Sequence, residues 1–332
     1  MDRRLSMSDK PFKTYDEQLQ LLISRGMAVE NQARALKKLR DIGYYRLSGF
    51  WYPCRKFLLD EHGNFLPSSA NPKVMRREEE FLKETSFDNV LALYLFDKKL
   101  RLLMLDALER IEIFMRVLLA HEMGKYHPCA YKDVSFINPK WTKSMPGQPS
   151  IWNRWCAKLT EQVRKSKEDC ILWYHHEHAD IPMWVSVQVW DFGMLSKYFS
   201  LLKGRYQNAV CHEICPALTP NILTNWLQAL NILRNRCAHH GRIWNQSGMS
   251  VLFPKDIPYF QSAPLSPDGH ARLAALIAVL WFFIHHLGPH STWLDRVQGV
   301  LTSMPCLPNC SFESMGFYSP PEDTFTLWRH AL

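Results

Sequence analysis

The sequence has no apolar segment long enough to carry the chain across a membrane. Its longest apolar run, residues 273–284 (LAALIAVLWFFI), has 12 residues, which is too short for a bilayer and suits a buried core helix. The opening residues, MDRRLSMSDK, contain no apolar stretch of the kind found in secretory signals. We therefore expect a soluble, cytoplasmic chain that does not bind membranes.

Glycine is scarce, and cysteine follows no disulfide framework. Fourteen glycines and 20 prolines among 332 residues exclude a collagen-like chain or one dominated by linkers. The nine cysteines are odd in number and irregularly spaced, so we expect reduced thiols. Cys211 with Cys215, and Cys306 with Cys310, each lack a second pair that would complete a zinc site. We favour buried thiols there, and we expect no metal or other cofactor.

The composition is that of a globular protein with a surplus of positive charge. Apolar residues make up 47% of the chain and charged residues 22%, which excludes a mainly disordered protein. Forty Lys and Arg against 32 Asp and Glu give a formal charge of +8. That surplus favours an anionic partner, although charge alone leaves RNA, DNA and a membrane surface open.

No stretch alternates apolar and polar residues for long enough to build a sheet, and helical periodicity dominates instead. Thr14 followed by Glu17 forms a capping-box pattern at the start of the first helix. We predict an all-α fold with helices over residues 14–26, 31–41, 87–125, 151–167, 194–202, 207–215, 221–239 and 270–287.

Turn-forming residues between positions 60 and 74 favour a domain boundary just before Phe87. We predict an N-terminal helical subdomain (1–86), a helical bundle (87–300) and a C-terminal extension that packs on the bundle (301–332). Residues 126–184 are rich in Pro, Trp and His, and we predict a long irregular insertion there, broken by a single helix.

The long helix predicted over residues 87–125 carries three acid–arginine pairs at i, i+4 spacing. They are Asp97 with Arg101, Asp106 with Arg110, and Glu112 with Arg116. Acid before base at this spacing stabilises a helix by about 0.2–0.5 kcal/mol per pair. We favour a solvated, salt-bridged face, and the alternative is an RNA-binding groove that uses all three arginines.

Two other clusters have a functional and an ordinary interpretation. The run HHEH at residues 175–178 could bind a metal, but contiguous histidines in a loop are more often only solvated. The triplet Asp191-Phe192-Gly193 is also found in kinases, but no glycine-rich loop or catalytic-loop pattern accompanies it here.

The helix predicted over residues 221–239 ends in RNRCAHHG, residues 234–241. A structural interpretation is available, because Gly241 suits the C′ position and cations in a last turn suit the helix dipole. The same residues suit metal-free RNA cleavage. That reaction needs a base for the 2′-hydroxyl, an acid for the 5′-oxygen and a cation for the phosphate. Histidine titrates near neutral pH, and arginine offers a permanently charged fork of donors.

Spacing favours His239 as the main catalytic histidine. Asn235 and His239 lie four residues apart on one helix face, where the amide would hold the imidazole in one tautomer. The helical wheel alone does not decide whether His239 or His240 is the partner of Arg234. We predict Arg234, Asn235 and His239 as catalytic, with His240 and Arg242 as further catalytic or phosphate contacts. Because each chain has one such motif, we expect a two-fold homodimer with the motifs facing each other.

Blocks throughout the chain carry a wider resemblance. They are KPFKTYDEQLQLLISRGM (10–27), IGYYRLSGFWYP (42–53), LYLFDKKLRLLMLDALERIEIFMR (93–116), IPMWVSVQVWDFGMLSKYF (181–199), NWLQALNILRNRCAHHGRIWN (225–245) and MGFYSPPEDTFTLW (315–328). On these blocks the chain resembles the Abi-like (AbiD/AbiF) abortive-infection family of bacterial defence proteins, within the HEPN superfamily.

The resemblance implies a HEPN-like helical bundle and an endoribonuclease toxin that arrests growth during phage infection. It places the superfamily's Arg, polar residue and His on Arg234, Asn235 and His239. The adjacent His240 is a departure, since some relatives have a longer spacing. The resemblance also implies RNA as a partner in two senses, as the substrate and as a small noncoding antitoxin RNA.

On that view the block YYRLSGFW becomes a candidate RNA-binding surface, in which aromatic rings stack on bases and cations hold phosphates. The candidate residues are Lys37, Lys38, Tyr44, Tyr45, Arg46 and Trp51. For the aromatic residues we favour the alternative, a hydrophobic hinge that packs the N-terminal helices onto the bundle. The rival function for the whole chain is a non-catalytic RNA-binding module that sequesters RNA.

Overall fold

The computed structural model describes residues 11–69, 72, 74–177 and 179–332, and the chain is mostly helical, which confirms the all-α prediction. The helices of the described residues are α1 Tyr15–Ser24, α2 Gln32–Ile42, α3 Tyr44–Trp51, α4 Phe87–Gly124, α5 Ile151–Lys165, α6 Asp169–His176, α7 Met183–Ser186, α8 Phe192–Leu201, α9 Gly204–Ile214, α10 Pro220–Ala238, α11 Pro258–Gln261, α12 Leu273–Leu287, α13 Trp293–Leu301 and α14 Pro321–His330. Two short strands, β1 Arg55–Phe57 and β2 Arg77–Phe81, pair antiparallel.

Local chemistry accounts for the helix boundaries that were predicted well. The capping box of α1 is complete: the Glu17 amide donates to the Thr14 hydroxyl at 3.2 Å, and the Thr14 amide donates to the Glu17 carboxylate at 2.6 Å. The long helix α4 runs from Phe87 to Gly124, as the absence of internal Pro and Gly predicted.

Six helices and both strands were not predicted, and the missed helices are α3, α6, α7, α11, α13 and α14. Residues 169–176 form α6 where we predicted irregular chain, and β1 and β2 have no alternating pattern that would show them. The strands are stabilised by contacts across them: Lys56 donates to Glu80 at 2.6 Å, and the Arg77 guanidinium lies 3.9 Å from the centre of the Phe57 ring.

The chain divides into two compact units. The first contains residues up to Lys99 together with Val300–Ser311, and the second contains Leu100–Gly299 and Phe312–Leu332. These limits differ from the predicted boundaries at 86/87 and 300/301. The first predicted boundary falls where α4 begins, whereas the division between the units falls within α4, after Lys99. The predicted C-terminal extension is shared between the two units.

In the first unit, α1 and α2 pack through buried leucines, including Leu19, Leu22 and Leu39. The segment between them is fixed to the start of α4 by backbone hydrogen bonds. The Ala28 amide donates to the Thr85 carbonyl, and the Phe87 amide donates to the Ala28 carbonyl, both at 2.9 Å.

In the second unit, α10 packs against α8, α9 and α12. Its Trp226 is fully buried, donates through Nε1 to the Leu252 carbonyl at 2.7 Å, and contacts the rings of Phe282 and Phe283. Nearly every residue of α12 from Leu273 to Ile284 is buried, as predicted for a core helix. Among the described helices, none combines the length and the apolar composition needed to cross a bilayer.

Asp191 joins α5 to the start of α8. Its Oδ1 accepts the Met194 amide at 2.7 Å and so caps α8, while its Oδ2 accepts from Lys158 at 2.6 Å and from Gln162 at 3.1 Å. A further contact between α5 and α8 comes from Trp155, whose Nε1 donates to the Met194 carbonyl at 3.1 Å. The triplet at 191–193 is therefore a helix cap that fastens two helices together.

We expect Asp191→Ala to lower the free energy of unfolding by about 1–2 kcal/mol, since it removes a helix cap and a half-buried ion-pair partner. The matched control is Asp180→Ala, which removes the 2.7 Å contact to Lys132 from a carboxylate that caps no helix. Its expected effect is below about 0.5 kcal/mol. Urea unfolding of both variants checks the difference.

Burial acts to raise the pKa of Asp191, but the Lys158 ammonium and the Met194 amide outweigh it, and the pKa lies below its usual value. A lowered folded-state pKa gives stability that is present above the unfolded value of about 3.9 and is lost as pH falls through the folded value. The difference between wild type and Asp191→Ala should therefore shrink between neutral pH and pH ~3. A constant difference would contradict this account.

Candidate catalytic site at the end of helix α10

The motif residues lie where α10 ends and the backbone reverses. The His240 amide donates to the Cys237 carbonyl at 3.1 Å, and the Gly241 amide donates to the Arg236 carbonyl at 2.7 Å. This pair of bonds is a Schellman motif, in which His239 is the C-cap. His240 occupies the left-handed C′ position with φ of 60°. The prediction that Gly241 is the C′ residue is therefore wrong, because the turn closes one residue earlier.

Gly241 has a different role, the close approach of its backbone to Arg236. A Cβ at position 241 would lie 2.8 Å from Cγ of Arg236 and 3.2 Å from the Arg236 carbonyl oxygen. His240 is the residue that carries the conformational penalty, about 1–2 kcal/mol for an L-residue in the left-handed region. His240 is itself a candidate next to His239, and backbone strain of this kind clusters at active sites and ligand-binding sites.

The side chains of the motif are accessible. His239, His240 and Asn235 are exposed, and Arg234 is half-buried. The Arg234 guanidinium donates to the Asn235 amide oxygen through Nη1 at 3.4 Å, and it contacts no carboxylate among the residues that the structure describes. Arginine without an acidic neighbour is available to an anionic ligand.

The structure brings Asn235 to Arg234 rather than to His239. In the described part of the chain, no hydrogen bond joins the Asn235 amide to the His239 imidazole, although they share a helix face as predicted. The amide therefore positions the guanidinium in this conformation, and its predicted role in fixing the tautomer of His239 stays a prediction.

The segment that follows the motif is held firmly. Ile243 and Trp244 are buried, and Arg272 donates to the Asn245 carbonyl at 3.0 Å. With its amide oxygen turned towards Arg242, Gln246 accepts from Nε at 3.0 Å and from Nη2 at 2.5 Å. The two histidines therefore lie in a turn between two well-anchored elements, α10 before them and this segment after them.

The block YYRLSGFW forms α3 in the first unit, and only part of it is available to a ligand. Trp51 is fully buried, which agrees with the packing interpretation favoured for the aromatic residues and leaves its ring unavailable to bases. Tyr44 is half-buried against Trp51 with ring centres 5.0 Å apart, and its hydroxyl accepts from Arg25 at 3.2 Å. Tyr45 is 74% exposed. These contacts support hydrophobic packing for most of the aromatic residues.

The cations predicted beside this block are surface residues. Lys37 and Arg46 are exposed, and Lys38 lies 3.8 Å from Asp41 on the same helix. They remain candidate RNA contacts together with Tyr45.

The arginines of α4 serve the fold. Arg101 is only 5% exposed, so it does not reach RNA from this position and the prediction of an RNA contact there is wrong. Arg110 bonds to Asp106 at 3.1 Å. Arg116 pairs with Glu112 and donates to the Trp190 carbonyl at 2.6 Å. The ion pairs of Arg110 and Arg116 are the ones predicted for a salt-bridged helix face. The structure therefore favours that interpretation over an RNA-binding groove.

The histidine run and the cysteine pairs form no cluster in the described residues. His175 and His176 end α6, His176 lies 3.2 Å from Glu177, and His178 lies outside the described residues. No group of three or more His, Cys, Asp or Glu side chains is arranged to hold a metal ion in the part of the chain that the structure describes. All nine cysteines, each a described residue, are free thiols, and burial raises the pKa of Cys211 to about 12. Cys306 is exposed, contrary to the expected burial.

Comparison with known protein families shows the family to which the chain belongs. A family model described as Abi-like protein matches residues 37–245, well over half of the 332 residues, and this range includes the whole motif. The chain belongs to the Abi-like protein family, and this membership points to a role in abortive infection, a form of antiviral defence. No significant match was found among curated proteins or among solved structures.

The left-handed conformation of His240 predicts an unusual order of stability among its variants. Both His240→Ala and His240→Gly remove the imidazole and its contacts, but only glycine adopts φ of 60° without a Cβ penalty. We expect the glycine variant to be more stable than the alanine variant by about 1 kcal/mol, the reverse of the order inside a helix. Thermal unfolding of the two variants checks this, and alanine equal to or above glycine would contradict it.

Proposed function

We propose that the chain is a HEPN-type, metal-independent endoribonuclease that acts as the toxin of an abortive-infection system. The observation that carries this proposal is the end of α10. Two exposed histidines stand there, and the guanidinium of Arg234, in the same motif, has no carboxylate partner in the described residues. The family membership supplies the biological setting.

The reaction needs only proton transfer and charge stabilisation. A base removes the proton of the 2′-hydroxyl, the 2′-oxygen forms a bond to phosphorus, and the bond from phosphorus to the 5′-oxygen breaks as an acid protonates that oxygen. The products are a 2′,3′-cyclic phosphate and a 5′-hydroxyl. His239 is the proton-transferring group, and Arg234 stabilises the charge that builds on the phosphate oxygens. His240 and Arg242 contact the same or a neighbouring phosphate.

In-line attack places the base and the acid on opposite sides of the phosphate, and each chain offers one His239. A two-fold homodimer that faces its motifs across a groove supplies both groups. Light scattering at the concentrations used for activity should therefore give the mass of a dimer. Full nuclease activity in a strict monomer would contradict the dimer.

RNA is also the proposed regulator. A small noncoding RNA bound to the basic chain would hold the toxin inactive, in line with the formal charge of +8. The alternative function is a non-catalytic module that arrests growth by sequestering RNA, with Lys37, Lys38 and Arg46 as contacts.

Arg234→Ala and His239→Ala separate the two functions. Loss of a proton-transfer group or of a phosphate-stabilising cation lowers catalysis by roughly 10²–10⁴-fold. We expect each variant to lose cleavage and growth arrest while unfolding at the wild-type temperature. The matched control is His212→Ala, an exposed histidine in the last turn of α9, which should keep both.

The alternative predicts the opposite pattern. Under sequestration, His239→Ala would still arrest growth, and changes at Lys37, Lys38 or Arg46 would abolish the arrest. A folded His239→Ala protein that remains toxic therefore rules out the nuclease as the cause of toxicity.

A further inference from the structure

Four segments of the second unit that are longer than 20 residues lack Asp and Glu: residues 134–160, 192–212, 214–255 and 269–294. Residues 134–160 and residues 192–212 contain no Asp or Glu, although both contain several Lys and Arg. Residues 134–160 contain four Lys and Arg and residues 192–212 contain three, so both stretches concentrate positive charge.

The fold brings residues 134–160 and 192–212 together. The Asn138 amide donates to the Leu201 carbonyl at 2.9 Å, and the Lys203 amide donates to the Phe136 carbonyl at 3.0 Å, which fixes the loop to the end of α8. Trp141 completes the attachment, because its Nε1 donates to the Ser200 carbonyl at 3.1 Å.

Cations surround the Trp141 ring. The Lys140 ammonium lies 4.6 Å and the Lys197 ammonium 5.0 Å from the ring centre. Arg154 lies on α5, which packs against α8, and its neighbour Trp155 donates to the Met194 carbonyl, one turn before Lys197. Burial, and after it the charge of Arg154, lower the pKa of the Lys197 ammonium. We call Lys140, Trp141, Arg154 and Lys197 the Trp141 surface.

The Trp141 surface holds its positive charges without compensation. None of the three cations contacts a carboxylate within the described ranges, whereas Lys158 on the same helix as Arg154 is paired with Asp191. Cations held near each other without an acid repel, and this arrangement is favourable when an anion binds. Cation–π contacts fix the ammonium groups, so little side-chain entropy is lost on binding.

We infer that the Trp141 surface binds the phosphodiester backbone of single-stranded RNA. The cations are distributed over a loop, α5 and α8 rather than converging on one point, which suits consecutive phosphates of a strand better than a single free phosphate. The choice of RNA rests on the proposed function, since a ribonuclease must hold its substrate beyond the scissile bond. None of these residues belongs to the motif at the end of α10.

The test measures binding of a labelled 20-nucleotide single-stranded RNA to the full chain carrying His239→Ala, which separates binding from cleavage. The variant adds Lys140→Gln, Arg154→Gln and Lys197→Gln. The matched control adds Lys56→Gln, Lys165→Gln and Lys255→Gln, three exposed cations elsewhere that remove the same charge. We expect the variant to bind at least about tenfold more weakly, and its slope of log Kd against log salt to fall by about 2 for three lost phosphate contacts. The control should bind within about twofold of the parent.

Two outcomes would contradict the inference. Equal RNA binding by the variant and the control would overturn it, and so would a parent that binds phosphatidylglycerol vesicles through these residues but binds no RNA. Failure of the proposed function looks different: RNA binding that depends on the Trp141 surface, in a wild type that cleaves nothing, keeps the surface and removes the nuclease.

Discussion

The hydrogen bond from the Gly241 amide to the Arg236 carbonyl organises the candidate site. At 2.7 Å it closes the turn that ends α10, and it requires a residue without a Cβ at position 241. The closure places His240 in the left-handed region and leaves His239 as the C-cap. Both histidines therefore follow the last turn of α10, and no carboxylate of the described chain neutralises the Arg234 guanidinium of the same motif.

The rest of the second unit supports that turn. Trp226 donates a hydrogen bond to the Leu252 carbonyl and so anchors the middle of α10. The side chain of Asn225 accepts the Leu252 amide at 2.9 Å and donates to the Ser250 carbonyl at 3.0 Å. These contacts join the helix before the turn to the segment after it. A site built on such braced elements keeps its donors aligned, which matters when charge develops on a phosphate.

Much of the fold could be predicted from the sequence because its determinants are local. The capping box at Thr14, the uninterrupted pattern of α4 and the apolar run of α12 each specify an element without reference to the rest of the chain. Prediction failed or left alternatives open for residues whose burial is determined by tertiary contacts. Arg101 is buried although its spacing to Asp97 is that of a surface pair, and Trp51 is core although it stands in an aromatic, basic block.

The candidate site was only partly predictable for the same reason. The sequence placed Arg234, Asn235 and His239 at a helix end, but it did not show that the helix closes with His240, rather than Gly241, in the left-handed region. The Trp141 surface left no local pattern, since Lys140 and Lys197 meet only through backbone pairing between a loop and the end of α8. The absence of Asp and Glu from both segments does not point to it either, because residues 214–255 and 269–294 lack them as well.

The most direct test of a metal-free ribonuclease is end-group analysis of RNA cleaved in EDTA. Wild-type protein stripped of bound RNA would be incubated with labelled single-stranded RNA and with tRNA. The account predicts cleavage without divalent ions, giving 2′,3′-cyclic phosphate and 5′-hydroxyl ends. Cleavage that requires a divalent ion, or that leaves 3′-hydroxyl and 5′-phosphate ends, would contradict it, and so would intact RNA.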